Sequence, residues 1–250
     1  MKPEDAFEAT WPVALPHVKT LLTTRNGGVS LPPYASLNLG DHVGDAPQAV
    51  AANRALLAAR VGLPFMYLQQ VHGIAVLDLD QFEANRTPPV ADAAVTSHAN
   101  TPCVVMVADC LPLLLASVDG AVVAAVHCGW RSLAGGVVRA TVQVMRTKLP
   151  VGVDIAAYLG PAIGPTAFEV GAEVKQQFAA LDALNAAAFA PQGNAKYLAN
   201  IYALVICELN KCAIQLITSE INCTVSNPAR FFSYRRDGVC GRQAAVIWRQ

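Results

Sequence analysis

A chain of 250 residues, 54% hydrophobic and only 14% charged, has enough apolar side chains to bury a sizeable core, which excludes disorder. Its 18 basic and 18 acidic residues cancel, so no global field recruits nucleic acid or an anionic membrane. Asp109, Pro112 and Asp119 break the longest apolar stretches, so none spans a bilayer, and MKPEDAFEATWP lacks the apolar core of a secretion signal. The expected location is therefore cytoplasmic, where the seven cysteines are reduced thiols by default.

Residues 12–22 read as a first strand. Thr23-Thr24-Arg25-Asn26-Gly27-Gly28-Val29-Ser30 is a loop that either turns at the surface or offers N–H groups to an anion, with Arg25 as the charge. SLNLGDHVGD (36–45) is a second polar, glycine-punctuated loop. Asp45 as N-cap, Pro47 in the first turn and Gly62 as terminator predict a helix between them. Residues 66–80 read as a strand pair around His72-Gly73. Pro88-Pro89 marks a loop, and ADAAVTS and the strand Cys103–Val107 follow.

Asp119-Gly120 is a hairpin signal between LPLLLASV and AVVAAVHC. If Val118 pairs with Ala121, counting back sets His127 opposite Pro112, with Cys110 just beyond. Ser132–Leu149 has helical periodicity and stops before Pro150. Residues 153–159 form a strand, GPAIGPTAFEVG a loop, and Glu173–Leu181 and Leu198–Cys212 helices. FFSYRRDGVCGRQAAVIWRQ reads as a loop and a final strand. With no linker, repeat or low-complexity segment, the expectation is α+β: one domain over residues 1–250, with mixed sheets and flanking helices.

His72, Cys110 and His127 each end an apolar, strand-like run: MYLQQVHG, CVVMVADC and AVVAAVHCGWR. At a strand end such side chains can point into a cleft, whereas mid-strand they would be core filler. Two imidazoles and a thiolate suit zinc, and three protein ligands leave a fourth tetrahedral position open. No C-x-x-C pair is present for a closed structural zinc site. Asp109 reads either as a general base beside Cys110 or as a loop cap. Trp130 and Arg131 read as a wall and an anion contact, or as a core residue and an ion-paired one. Arg235 and Arg236 lie in a polar terminal loop that reads as a solvated face, or as one from which one of them reaches the substrate, and His42 fits a place near the cleft.

TTRNGGVS, SLNLGDHVGD, QQVHG, ADAAVTS, VMVADCLPLLL, AVHCGWRSLAGG, LGPAIGPTAFEVG and FFSYRRDG–GR occur in this order. Together they resemble the bacterial family labelled multicopper polyphenol oxidase or laccase-domain, now described as purine nucleoside phosphorylase with adenosine deaminase activity. The resemblance covers roughly residues 10–250. It implies a layered α/β/β/α sandwich built on a duplicated unit and related to a cysteine-deamidase toxin. It also implies a metal triad of His72, Cys110 and His127, and nucleoside- and phosphate-facing Arg25 and Asn38. The chain departs from the family's usual His-Ala-Gly-Trp-Arg-Gly at Cys128 and Ser132, and Gln243 stands where an apolar residue is usual.

The expected enzyme is zinc-dependent, with copper as an alternative ion. It would phosphorolyse adenosine, inosine, guanosine and methylthioadenosine and deaminate adenosine. Its partners would be purine nucleosides and phosphate, without nucleic acid or membrane, as a monomer or weak homodimer. Two other chemistries fit the same residues. One is a Cys-His hydrolase with Cys110 as nucleophile and His127 as base, cleaving an amide as in peptidoglycan-precursor editing. The other is a copper phenol oxidase, for which His17, His42 and His98 are too few to complete a multinuclear cluster. A non-enzymatic binding module is disfavoured by the open coordination position.

Overall fold

The computed structural model of the chain describes residues 2–82, 87–219 and 221–250. In chain order they form β1 (Ala6–Phe7), β2 (Val18–Thr23), α1 (Pro47–Val61), β3 (Val76–Asp78), β4 (Ala93–Thr96), β5 (Cys103–Val107), β6 (Leu111–Ser117), β7 (Val123–Cys128), α2 (Trp130–Gly135) and α3 (Val137–Thr147). The second half adds β8 (Ile155–Leu159), β9 (Glu169–Gly171), α4 (Ala172–Leu181), β10 (Phe189–Gly193), β11 (Lys196–Ala199), α5 (Ile201–Lys211), β12 (Leu216–Ser219), α6 (Tyr234–Asp237) and β13 (Gln243–Arg249).

Strands buried on both faces read as unbroken apolar runs, and β6 and β7 are buried at every position. They lie inside a mixed sheet of order β12-β8-β6-β7-β4-β3. A second sheet, β1-β2-β13-β5, is antiparallel. Leu114, Ala125 and Tyr158 of the first sheet meet Leu22, Val105 and Ile247 of the second in one buried cluster. On the first sheet's other face, Leu113, Leu115 and Val126 pack against α3 and α5 through Val138, Met145 and Leu204. On the second sheet's outer face, Leu21, Val104 and Val246 lie under Leu57 of α1. The result is an α/β/β/α sandwich, as expected, with a small β10-β11-β9 sheet beside it.

The hairpin register counted from Asp119-Gly120 holds: Pro112 pairs with His127 and Leu111 with Cys128. Gly120 sits at φ 68°, a turn conformation that favours glycine. Several local expectations are corrected. The first strand begins at Val18, because Pro12 and Pro16 cannot donate to a ladder. Asp45 does not cap α1; its Oδ2 accepts from Ser30 Oγ (2.6 Å) and Asn38 Nδ2 (2.9 Å) instead. The helix expected over Ser132–Leu149 is two helices, separated by Gly136 at φ 97°. The helix expected from Leu198 starts at Ile201, because Asn200 accepts from Ala203 N (3.1 Å) and caps it, while Leu198 belongs to β11. The strand pair expected over residues 66–80 reduces to β3 and one bridge, Gln69 to Val90.

Candidate active site

Alternation along β7 decides which side chains reach the site. Val126 and Cys128 point into the helix-facing core, whereas Val123 and Ala125 point between the sheets. His127 is therefore on the opposite face from Cys128 and emerges where the inter-sheet core ends. Cys110 stands at the same end, just before β6, on a turn whose Asp109 is held at φ 95°. Asp109 Oδ1 accepts from Thr224 Oγ1 and Oδ2 from Arg235 N, both at 2.6 Å, so its carboxylate pins the turn. Of the two readings of Asp109, the geometry matches the loop cap.

His72 arrives from the loop, not from a strand end, at φ 59°. The reason is Asp92, which is fully buried at the start of the ADAAVTS run. Its carboxylate accepts from the backbone N–H of Val71 (3.2 Å), His72 (2.9 Å) and Gly73 (2.6 Å), so those groups have no strand partner. The same carboxylate bonds His127 Nδ1 at 2.8 Å. One acid thus fixes both imidazoles, His72 through its main chain and His127 through its ring. Sequence reasoning did not single it out; the signal was an aspartate framed by alanines before a fully buried strand. Gln70 completes the scaffold: its amide exchanges two 2.8 Å bonds with the Met106 backbone, tying this loop to the end of β5.

The structure brings the three residues together. Cys110 Sγ lies 3.6 Å from His72 Nε2, and the imidazole centroids are 4.7 Å apart at 73°. One ligand atom from each lies within 4.8 Å of the others, a group that could hold a metal ion. Gly129 is the close approach that permits this, since a Cβ there would sit 2.5 Å from His72 Cδ2 and 3.3 Å from Cys110 Sγ. Burial alone would push the Cys110 thiol up, but His127 and His72 beside it outweigh burial and bring it down. Burial likewise opposes a charge on His127, yet Cys110 and Asp92 raise its pKa. The pair favours thiolate and imidazolium. Cys128 is pushed up instead, by burial first and then by the charge on Cys110.

These groups open onto a cavity of about 510 Å³. Trp130, Phe168 and Tyr234 give it aromatic faces, and Arg131, Arg235 and Arg242 give it positive charge. Arg131 lies over the Trp130 ring at 4.2 Å, and His42 also lines the cavity. Arg236 does not line it and is taken up by Asp237. Burial and then Arg242 lower the His42 pKa.

Arg25 and Asn38 are placed elsewhere: neither lines this cavity. Arg25 donates from Nε to Ala35 O (3.0 Å) and from Nη1 to Pro228 O (3.1 Å). Asn38 is fully buried, and its Oδ1 accepts from Gly40 N and from Arg242 N, each at 2.9 Å. Asn38 thus touches a cavity residue through the backbone without facing the cavity. Nothing in the chain's periodicity pointed to Arg242, because it gains its place only when β13 joins the sheet beside β2 and β5.

Known proteins share this chain throughout. A Haemophilus influenzae protein named purine nucleoside phosphorylase is 44% identical over 247 residues, 97% of this chain and 98% of its own length. An Escherichia coli protein named purine nucleoside phosphorylase YfiH is 47% identical over 230 residues, 90% of this chain and 91% of its own. A solved Neisseria meningitidis protein, 46% identical, matches the fold with a TM-score of 0.93, covering 98% of this chain and 99% of that one. The family model described as multi-copper polyphenol oxidoreductase laccase matches residues 19–250, and on that match and these relatives the chain belongs to that family.

Proposed function

We propose that the chain is a purine nucleoside phosphorylase that also deaminates adenosine, with zinc held by His72, Cys110 and His127. The observation that carries the reading is the convergence of these three side chains on a cavity with both aromatic faces and guanidinium groups. The relatives' names supply the substrate class. The ligand set fits the ion: tetrahedral zinc with bonds of about 2.0–2.3 Å separates its ligand atoms by about 3.3–3.8 Å. Of the three separations, the 3.6 Å between Cys110 Sγ and His72 Nε2 lies in that range, and all three lie within 4.8 Å.

Zinc in that position supplies Lewis acidity toward a substrate oxygen or water. The protein's own residues do the rest. Asp92 fixes the His127 tautomer and orientation by accepting at Nδ1, so the other ring nitrogen faces Cys110. Trp130, Phe168 and Tyr234 offer flat apolar faces to a purine. In phosphorolysis a phosphate oxygen bonds to ribose C1′ as the C1′–N bond breaks. The electron pair leaves with the base, which takes up a proton.

One observation favours a second reading. Cys110, His127 and Asp92 stand in the order nucleophile, base and orienting acid, which is the arrangement of a metal-free Cys-His hydrolase acting on an amide. Metal content and turnover separate the two. Protein purified without added metal should carry stoichiometric zinc rather than copper, and should release base from inosine only when phosphate is present. Cys110→Ala should lose both zinc and turnover, whereas Cys128→Ala, altered on the opposite strand face, should keep most of each. Cleavage of an amide substrate by metal-free protein, abolished by alkylating Cys110, with no phosphate-dependent release of base from inosine, would replace the phosphorylase reading with the hydrolase one.

A further inference from the structure

We propose that residues 232–243 form the phosphate-binding arm of this site, with Arg235 and Arg242 touching the anion; this rests on the phosphorylase reading. Both side chains line the cavity that holds Cys110 and His127. Their donors are only partly used. Arg235 Nη1 donates to Glu169 O (2.8 Å), and Arg242 Nη1 to Cys240 O (2.9 Å) and Gly241 O (3.0 Å). Among the described residues neither guanidinium is paired with a carboxylate. Arg236, on the same arm, shows the contrast: it bonds both oxygens of Asp237, at 2.8 and 2.7 Å, and its Nη1 donates to Thr224 O.

The arm is anchored at both ends and in its stem. Asp109 Oδ2 accepts from Arg235 N at 2.6 Å, and Asn38 Oδ1 from Arg242 N at 2.9 Å. Gln243 closes the base, its Oε1 accepting from Phe232 N (2.8 Å) and its Nε2 donating to Phe232 O (3.2 Å). Asn38, Gln243 and Asp109 are all buried, and a polar group that deep is stable only when hydrogen-bonded. Three such anchors on twelve residues hold the two arginines in place before any ligand arrives, which lowers the ordering cost of binding. Asp109 also precedes Cys110, so one turn sets both the sulfur and the arm.

Electrostatics select the ligand class. Among the described residues the one carboxylate on the cavity wall is Asp109, whose two oxygens are already taken by Thr224 and Arg235 N, against three arginines. Arg131 lies over the Trp130 ring at 4.2 Å, closer than Arg235 to Phe168 (5.7 Å) or Arg242 to Tyr234 (5.9 Å), which leaves Arg235 and Arg242 the freer pair to form the fork. Fork-shaped donors on a wall where three arginines outnumber the one carboxylate match a phosphate dianion.

Arg235→Gln and Arg242→Gln test this, each read in two ways: titration of inorganic phosphate without nucleoside, and steady-state phosphorolysis of inosine. Loss of one charge-assisted fork should raise the phosphate KM at least about tenfold, and more than it raises the inosine KM. The Lys variants should recover part of the loss. Gln243→Leu, which frees the stem without removing a charge, should raise the phosphate KM by a smaller factor. Unchanged phosphate KM and unchanged titration in both Gln variants would overturn the arm while leaving the phosphorylase reading intact. If the wild-type chain phosphorolyses no purine nucleoside, the titration alone decides. Phosphate binding that both variants weaken upholds the arm and drops that reading, whereas binding indifferent to both variants, or absent altogether, drops the arm as well.

Discussion

Two residues with no chemistry of their own set the distances between the three that have it. Asp92 fixes His72 and His127 at once, and Gly129 leaves them room. Adding one methyl at residue 129 pushes against a ring carbon 2.5 Å away, and the His72 ring is the part free to yield, since Asp92 holds its main chain. Gly129→Ala should therefore leave thermal unfolding nearly unchanged yet displace His72. A misplacement on the order of 1 Å at a reacting centre costs turnover by roughly 10²-fold. Zinc content, inosine turnover and a melting curve on the same sample check this. A variant with full metal and full turnover would show that the close approach does not matter.

Among the elements, the edge formed by β3, β4 and the end of α3 carries a charge cluster away from the site. Lys148, directly after α3, reaches Asp78 Oδ2 and Asp80 Oδ2, both at 2.8 Å. Thr96 Oγ1 also donates to Asp80, at 2.6 Å. Burial works against the charged Asp80, but the bonds from Lys148, Ser97 and Thr96 outweigh it and hold the carboxyl well below its ordinary 3.8. Burial also opposes the Lys148 charge, which Asp78 and Asp80 nevertheless keep above the ordinary 10.5.

The signs follow from linkage. A depressed Asp80 stabilises the fold above pH 3.8, and the contribution fades as pH falls through its folded value. A raised Lys148 contributes below pH 10.5 and fades as pH climbs through its own. Lys148→Met should thus cost most between those limits, about 2 kcal/mol for a lost charge-assisted bond in a partly buried cluster. At this chain length that is roughly 4–8 °C in Tm. Melting curves from pH 3 to pH 8 should show the difference between wild type and variant shrinking toward the acid end. A constant offset would assign the effect to packing by the lysine stem.

At the scale of the whole molecule, the two ends of the chain are joined beside the site. β2 and β13 pair in the middle of the four-stranded sheet, and Arg25, just after β2, binds the segment that leads into the arm. Its Nη1 donates to Pro228 O, its backbone N donates to Arg230 O, and its guanidinium lies 4.8 Å from the Phe232 ring centroid. Arg25→Ala should therefore loosen the arm's root, lowering the melting temperature and slowing the proposed phosphorolysis more than the proposed adenosine deamination, which needs no phosphate. A selective loss of the phosphate-dependent reaction with no change in melting would instead give Arg25 a direct contact with the anion.

Local chemistry in the sequence was enough for the hairpin and for two of the three convergent residues. Asp119-Gly120 sets the turn, the turn sets the register, and the register puts Cys110 and His127 at one end. The long apolar runs of β5, β6 and β7 likewise required a buried sheet, because nothing else hides strands on both faces. His72 needed the tertiary structure. Its segment looks like a strand by composition, but three of its N–H groups go to the Asp92 carboxylate, a partner 19 to 21 residues away in sequence. The same holds for Arg242, which reaches the cavity only because β13 inserts between β2 and β5 and Asn38 takes its N–H. Arg25 and Asn38 show the converse: polar, glycine-flanked loops read as ligand contacts, yet in the fold Asn38 spends its side chain on buried hydrogen bonds and Arg25 on carbonyls of other loops. Periodicity and turn chemistry act over a few residues and are written in the chain. Which buried polar group satisfies which distant backbone depends on how the layers close, and only the tertiary structure decides that.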